Sequence, residues 1–208
     1  MLSRSARVVA TAAAAAAMVF GSTQASAAVA VDGLQQEIDK VLATTEGGVQ
    51  ISRNEIAWNG GEALMSFALP GEARAPVSSP AAQKLQARTA GLPESTKETG
   101  SSALAGDNCP TEVFGDDWYC FYQYKSFEGW RLSWNAQHNA AVYFSTYGFN
   151  DMTSSWSNKG DLTLLVYSRT RVGEDLSCTN LLWYGDPHSN AASVAADNMA
   201  DCFRARPY

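Results

Sequence analysis

Cysteine is missing from the first half of this 208-residue chain; only Cys109, Cys120, Cys178 and Cys202 follow. Histidine is scarcer still, with His138 and His188 alone. Charged residues make up 17% of the chain, and its formal net charge is −6. Each scarcity removes a class of function. No Cys-x-x-Cys occurs and the two histidines stand at no ligand spacing, so a zinc site is not expected. There is no Gly-x-Ser-x-Gly elbow, no His-Glu-x-x-His and no phosphate-cradling glycine loop, so the chain does not read as an enzyme. His138 and His188 read as exposed bystanders in polar surroundings. Nucleic-acid binding normally needs a basic face, and the acidic balance argues against it. A cation or a basic protein stays open as a partner.

Long apolar runs are missing too. The alanine-rich stretch from Val8 to Phe20 is too short to span a bilayer comfortably. Arg4 and Arg7 precede it, and Ala25-Ser26-Ala27 follows as a small-residue cleavage site. The pattern predicts a signal peptide over residues 1–27 and a secreted, extracellular product with no stable membrane insertion. Outside the cytoplasm four cysteines imply two disulfides. Three connectivities are possible. Cys109–Cys120 and Cys178–Cys202 are favoured, because each pair is local and staples one half of the domain.

What the chain does have is a run of aromatic and β-branched residues after residue 117. Ahead of it, Leu34, Ile38, Val41 and Leu42 recur on one helical face, predicting a short helix over Val31 to Thr45 with Asp32 as N-cap. Val49 to Ile51, Glu55 to Trp58 and Ala63 to Leu69 read as strands, with Asn59-Gly60-Gly61 as a hairpin turn. Residues 28–69 are thus a helix and hairpin too small to bury much surface alone. Residues 70–107 are rich in Ala, Ser, Pro and Gly and are expected to form a flexible, disordered linker, with a weak helix at 80–89. One expectation is that residues 28–107 act as a pro-region, covering a binding face until the linker is cut.

From residue 108 to 208 short strands follow each other with turn residues between them: 118–124, 130–134, 141–144, 155–157, 162–168 and 181–184. The spacing predicts an all-β antiparallel sandwich or barrel. Tyr122 and Phe127 bracket a tight turn, and Gly129 supplies the positive φ that an aromatic folding over its own hairpin needs. An internal repeat is visible. Tyr122 corresponds to Tyr167, and Asn150-Asp151-Met152-Thr153-Ser154-Ser155 to Asp197-Asn198-Met199-Ala200-Asp201-Cys202, at offsets of 45 and 47 residues. Such a repeat fits one Greek key per half. The second half departs from the first at Val172-Gly173, one residue short of Phe127-Glu128-Gly129.

Tyr122-x4-Phe127-x-Gly129 with Asn150-Asp151-x-x-Ser154-Ser155 resembles the βγ-crystallin Greek-key signature. Cys109-Pro110, Cys120-Phe121-Tyr122, Gly148-Phe149-Asn150-Asp151 and Ser154-Ser155-Trp156 resemble a family of small secreted bacterial proteins grouped with the crystallin-like metalloproteinase inhibitors. The resemblance covers about residues 108–208. It implies a sandwich of two Greek keys, two disulfides and a peptidase-inhibitor role. The implied partner is a secreted protease, most naturally a metalloprotease; separately, the chain is expected to be a monomer that requires no cofactor. In such inhibitors a rigid disulfide-held loop enters the cleft preformed, so binding orders little. The resemblance places the reactive bond at Cys178–Thr179. Thr179 departs from the bulky apolar residue such targets favour after the cut, and Leu181 and Leu182 are the nearest apolar side chains.

The same resemblance gives an alternative function, a calcium-binding module with a structural or cell-surface role. Asn150, Asp151 and Ser154 match the ligand pattern of calcium-binding crystallin modules; Asp197, Asn198 and Asp201 match it in part. Calcium wants six to eight oxygens. The competing account is that these side chains pin turns. Trp130 and Trp156 read as core, and Trp118 and Trp183 as either core or groove. Asp116-Asp117 and Glu174-Asp175 read as solvated loop charges, because neighbouring strand residues point to opposite faces.

Overall fold

Strand-period alternation from Tyr119 onward sorts side chains between two cores. Tyr119 and Phe121 face one, Cys120 and Tyr122 the other, and all four are buried. The computed structural model describes residues 24–89, 106–110, 118–172 and 175–207. Most of the predicted signal peptide, Asp116-Asp117 and Glu174 lie outside the described residues. The elements in chain order are α1 (Gln24–Thr44), β1 (Val49–Ser52), β2 (Glu55–Trp58), β3 (Ala63–Ser66) and α2 (Pro80–Thr89). After these come β4 (Tyr119–Tyr124), β5 (Glu128–Trp134), β6 (His138–Tyr143), β7 (Ser155–Asn158), β8 (Thr163–Val172), β9 (Asp175–Gly185), β10 (Ser189–Ala191) and β11 (Cys202–Arg206).

These strands form two antiparallel sheets, ordered β1-β2-β3-β5-β4-β7-β10 and β6-β11-β8-β9. The order is that of two Greek keys. β4, β5 and β7 belong to one key, whose third strand, β6, lies in the opposite sheet. β8, β9 and β11 belong to the other, whose third strand, β10, crosses back. The exchange locks the two halves into one sandwich, and Phe121, Trp134, Phe144, Val166 and Phe203 fill its interior. The aromatic rings interlock: Phe203 lies 4.6 Å from Trp134 and 5.2 Å from Phe121, centroid to centroid. No helix among the described residues is long and apolar enough to cross a membrane.

The repeat is written in backbone hydrogen bonds. Asp151 N–H donates to Ala200 O and Asn198 N–H to Thr153 O, each at 3.1 Å. Ser154 N–H donates to Tyr122 O, and at the corresponding place Asp201 N–H donates to Tyr167 O. Asp151 and Asn198 share the left-handed conformation, each with φ 55°. The residue types permit it, because Asn and Asp tolerate that region better than most.

The N-terminal segment departs most from expectation. β3 pairs with β5, matching Ala63 with Trp134 and Met65 with Leu132. The hairpin is therefore part of the sandwich's first sheet. α1 buries Leu34, Ile38 and Val41 in the same core as Trp58, Tyr147 and Phe149. A removable pro-region is not what this packing describes. α1 also starts at Gln24, ahead of the predicted Val31, so Asp32 sits inside the helix. The alanine-rich sequence favours the helix strongly enough to carry it upstream.

The stretch expected to be a flexible linker is pinned at both ends. Gly129 N–H donates to Ala73 O at 2.7 Å, and the Arg74 guanidinium donates to Ser126 O and Gly106 O. α2 buries Ala82 and Ala87 and packs on the outer face of the first sheet, with Cys109, Trp118, Cys120 and Tyr122. Residues 106–110 close the same layer. Asp107 accepts from Ser157 Oγ at 2.8 Å and pairs with Lys159. Composition hid these contacts because they are polar and nonperiodic. The sequence reading also passed over β10, which is three short polar residues, and β11. In β11, Phe203 and Ala205 face the core while Arg204 and Arg206 alternate outward.

Candidate functional site

The two keys differ at one structural joint, and the difference builds the candidate site. In the first key Tyr122 lies against Phe127, ring centroids 5.4 Å apart, and the chain folds over at Ser126 and Phe127, both at positive φ. Gly129 completes the fold with φ 76°; a Cβ there would lie 2.7 Å from Gln123 Oε1 and 2.8 Å from Tyr124 Cδ2. Ser155 pins the folded hairpin, donating to Tyr124 O at 2.6 Å and accepting from Phe127 N–H at 3.1 Å.

In the second key Cys202 stands where Ser155 stands in the first. It cannot make that pair of hydrogen bonds, and it is bonded instead to Cys178. The two strands it holds do not fold over within the described residues. β8 and β9 run as a long ribbon, paired from Leu164 and Gly185 out to Val172 and Asp175. β11 flanks β8 only from Thr163 to Tyr167, so from Ser168 outward the ribbon has two strands among the described residues. Three contacts brace its root. The disulfide joins β9 to β11. Asp201 Oδ2 accepts the Arg169 backbone N–H at 2.6 Å. The Arg169 guanidinium lies 4.9 Å over the Tyr143 ring and donates to Ser145 Oγ at 2.7 Å. A disulfide closing a loop of this length stabilises by about 3 kcal/mol.

Cys178 and Thr179, the expected reactive pair, sit in β9 itself. Arg169 pairs with Cys178 and Ser168 with Asn180, so Thr179 is the extra residue of a β-bulge. The bulge carries Thr179 and Asn180 to the surface, and Leu181 beside them is 37% exposed. Leu182 packs partly on the core. The other disulfide, Cys109–Cys120, lies on the opposite side of the molecule, under α2.

The six candidate metal residues gather where the two repeats meet, but their oxygens are mostly engaged. Asn150 Nδ2 donates to Asp151 Oδ2 at 2.6 Å. Ser154 Oγ donates to Gln123 O and lies 3.3 Å from Asn198 Oδ1. Asp197 Oδ2 is 3.1 Å from Lys125 Nζ, and Asp201 holds Arg169. Among the described residues no three His, Cys, Asp or Glu side chains are placed to hold a metal ion. These hydrogen bonds tie the set to the turns. Two observations run the other way. Asn150 Oδ1 and Asp197 Oδ1 are buried without a hydrogen-bond partner. Burial, and after it the neighbouring Asp201 carboxylate, pushes the Asp151 carboxyl up from its ordinary value.

The remaining candidates fall into place around the core. Trp118 and Trp156 are buried, and Trp130 stacks at a tilt on Phe67, so the sandwich uses its tryptophans mainly as filling. His138 is not the exposed bystander expected from sequence. It is half-buried against Phe203, 3.3 Å from Glu62, and burial lowers its pKa. His188 is exposed and meets Asp161 at 2.8 Å. A feature missed from sequence is the cleft at the foot of β9. Thr163, Leu165, Tyr184, Asp186, Arg206 and Pro207 enclose about 650 Å³ on the outer face of the second sheet.

Residues 102–179 match the family described as peptidase inhibitor family I36. The match runs through the whole first key and ends within β9, at Thr179. No curated protein matches the chain. Among solved structures, a βγ-crystallin from Ciona intestinalis is 16% identical, with a TM-score of 0.34, covering 43% of this chain and 99% of that one. A βγ-crystallin from an archaeon is 20% identical, with a TM-score of 0.33, covering 44% and 99%. Spherulin 3a from Physarum polycephalum is 13% identical, with a TM-score of 0.33, covering 44% and 84%. The inhibitor family match points to a non-enzymatic protein. Over residues 102–179, then, the chain is similar to peptidase inhibitor family I36, and those residues lie in an all-β sandwich of two Greek keys.

Proposed function

We propose that this is a secreted inhibitor of proteases, of metalloproteases in particular, and that the β8–β9 ribbon is the element that enters the target. The observation that carries the reading is the ribbon's construction. It projects past its third strand, presents the bulged Thr179 beside Cys178, and is tied to the sandwich by the Cys178–Cys202 bond. An inhibitor needs an extended segment that binds like a substrate without first being ordered, because ordering subtracts from affinity. The disulfide adds a second property. If the Cys178–Thr179 peptide bond is hydrolysed, β8 pairing and the bond to Cys202 hold the new ends in place, so the bond can re-form. Thr179, the residue after that bond, is small and polar, so the test extends beyond thermolysin-type enzymes.

The test is inhibition of a panel holding a thermolysin-type metalloprotease, a subtilisin and a trypsin, using mature chain with intact disulfides. One panel member is expected to be inhibited tightly. C178S/C202S should weaken inhibition by about a hundredfold, the cost of ordering a loosened ribbon being about 3 kcal/mol. C109S/C120S loses a bond remote from the ribbon and should retain potency wherever it remains folded. No inhibition across the panel would overturn the proposal.

Calcium binding is the second reading, favoured by the two unpartnered acceptors and the crowded Asp151 carboxyl. On this reading millimolar calcium raises the melting temperature, as a ligand of the native state must, and no rise sinks it. A rise of several degrees that D151N abolishes would support the calcium reading.

A further inference from the structure

Strand alternation turns Leu164, Val166, Phe203 and Ala205 into the main core, and Thr163, Leu165, Arg204 and Arg206 to the outer face of the second sheet. Across the strands Thr163 pairs with Arg206, and Leu165 lies between Arg204 and Tyr184. Leu165 is 6% exposed yet belongs to neither hydrophobic core, so side chains of this face cover it. Tyr184 beside it is 58% exposed. These rows line the cleft of about 650 Å³ at the foot of β9, with Asp186 and Pro207.

The cleft holds one charge of each sign. Arg206 and Asp186 both line it, and among the described residues neither side chain has an ion-pair partner. The Thr163 hydroxyl in the same wall is buried and has no hydrogen-bond partner among the described residues. Folded proteins leave few such groups unmatched. The base is held rigidly. Asn158, 1% exposed, donates to Leu162 O at 2.6 Å and to Asp186 O at 3.0 Å, tying the start of β8 to the end of β9. Ser189 Oγ donates to Asp186 O at 2.5 Å. Between Tyr184 and Asp186 the backbone runs close over the core, since a Cβ on Gly185 would lie 3.0 Å from the Trp156 ring.

This combination selects a ligand. An anion is repelled by Asp186 and a cation by Arg206. A wholly apolar ligand strips water from both charges and returns no hydrogen bond. A neutral ring bearing neighbouring hydroxyls meets every group. One hydroxyl donates to the Asp186 carboxylate, the next accepts from the Arg206 guanidinium, a third pairs with Thr163 Oγ1, and the C–H face of the ring lies on Tyr184. An apolar wall with a few convergent polar groups is the usual make-up of a small-molecule site. We propose that the cleft binds a neutral sugar residue of a glycan. The site lies on the face of the sandwich, apart from the bulge at Thr179, and it does not depend on the inhibitor reading.

The full mature chain labelled with ¹⁵N is titrated with cellotetraose, chitotetraose and a mannotriose, and with glycylglycine as a zwitterion that uses both charges but offers no sugar ring. The first two sugars stand for polysaccharide and the third for a protein-borne glycan. At least one sugar is expected to shift the amides of Thr163–Leu165, Tyr184–Asp186 and Arg206, saturating at roughly millimolar concentration, as weak binding at an open site does. Because the ligand is neutral, the midpoint should not move between about 50 and about 500 mM salt. Y184A should weaken binding at least about tenfold while Y184F retains it, since the ring face is what the sugar covers. D186N and R206Q should each weaken it about tenfold, as loss of a hydrogen bond to a charged group does. All three positions are exposed, so the variants keep the parent's amide dispersion. No shift with any sugar, shifts confined to other faces, binding that Y184A leaves unchanged, or a salt-sensitive response to glycylglycine that matches the sugars would overturn the proposal.

Discussion

A chain starting at Asn108 should fail to fold. The cut separates β3 from β5 and opens an edge along Arg131–Trp134. It also removes Leu34, Ile38, Val41, Ile56, Trp58, Met65 and Phe67 from the main core. At about 1.5–3 kcal/mol for each buried side chain, the loss is on the order of 10–20 kcal/mol. That equals or exceeds the whole stability of an ordinary domain, about 5–15 kcal/mol. The expected fragment has collapsed amide dispersion, binds hydrophobic dyes and aggregates through the opened edge. A fragment with native-like dispersion and the urea midpoint of the longer chain would show that α1 and the hairpin are an accessory. The experiment separates an integral sheet from a removable cover, because only an integral sheet makes folding depend on residues 24–69.

The second large effect is expected at Arg131. It is fully buried, and burial lowers its pKa. Its guanidinium donates to Pro76 O at 2.9 Å, to Asn108 O at 2.5 Å and to Ser66 Oγ at 3.1 Å. Ser66 in turn reaches Glu55 Oε1 at 3.4 Å, and Glu55, also fully buried, accepts from Ser79 N–H and Ser52 Oγ. One side chain thereby ties β5 to β3, to the segment before α2 and to residues 106–110. Arg131→Met keeps the volume, removes every donor and leaves Glu55 buried without its cation nearby. Breaking a buried charge arrangement in this way costs about 3–5 kcal/mol. Urea unfolding should show it as a fall in midpoint at unchanged slope. R131M/E55Q removes both charges and should recover part of the loss. A single variant within about 0.5 kcal/mol of the parent, the size of an ordinary surface substitution, would show that the network is solvated.

These two sites mark where the sequence stopped being informative. Local rules reached far. Strand alternation and turn residues located β4, β5 and β7. Tyr122, Phe127 and Gly129 gave the folded hairpin, because the ring contact and the positive φ are made within eight residues. The repeat of Asn150–Ser155 in Asp197–Cys202 gave two keys, because the turn that each motif makes depends on its own side chains. Locality also favoured the pairing of Cys109 with Cys120 and of Cys178 with Cys202, which is the pairing in the structure.

What the chain does across distance was not legible. Nothing in Ala63–Ser66 says that it will lie on β5, since pairing is chosen by the core it completes and not by its own four residues. Residues 70–79 look like solvated linker until Glu55 and Arg131 are brought beneath them. The serine-to-cysteine change at position 202 could be read in the sequence, but its consequence could not. Only the folded sandwich shows that it trades a pinned, folded hairpin for a braced, projecting ribbon. The open edge of β9 is likewise a property of sheet order. Sequence by itself determined the local geometry of each key, because turns and alternation are short-range. Tertiary structure decided which edge was covered and which was left open, because strand partners are selected by burial across the whole core.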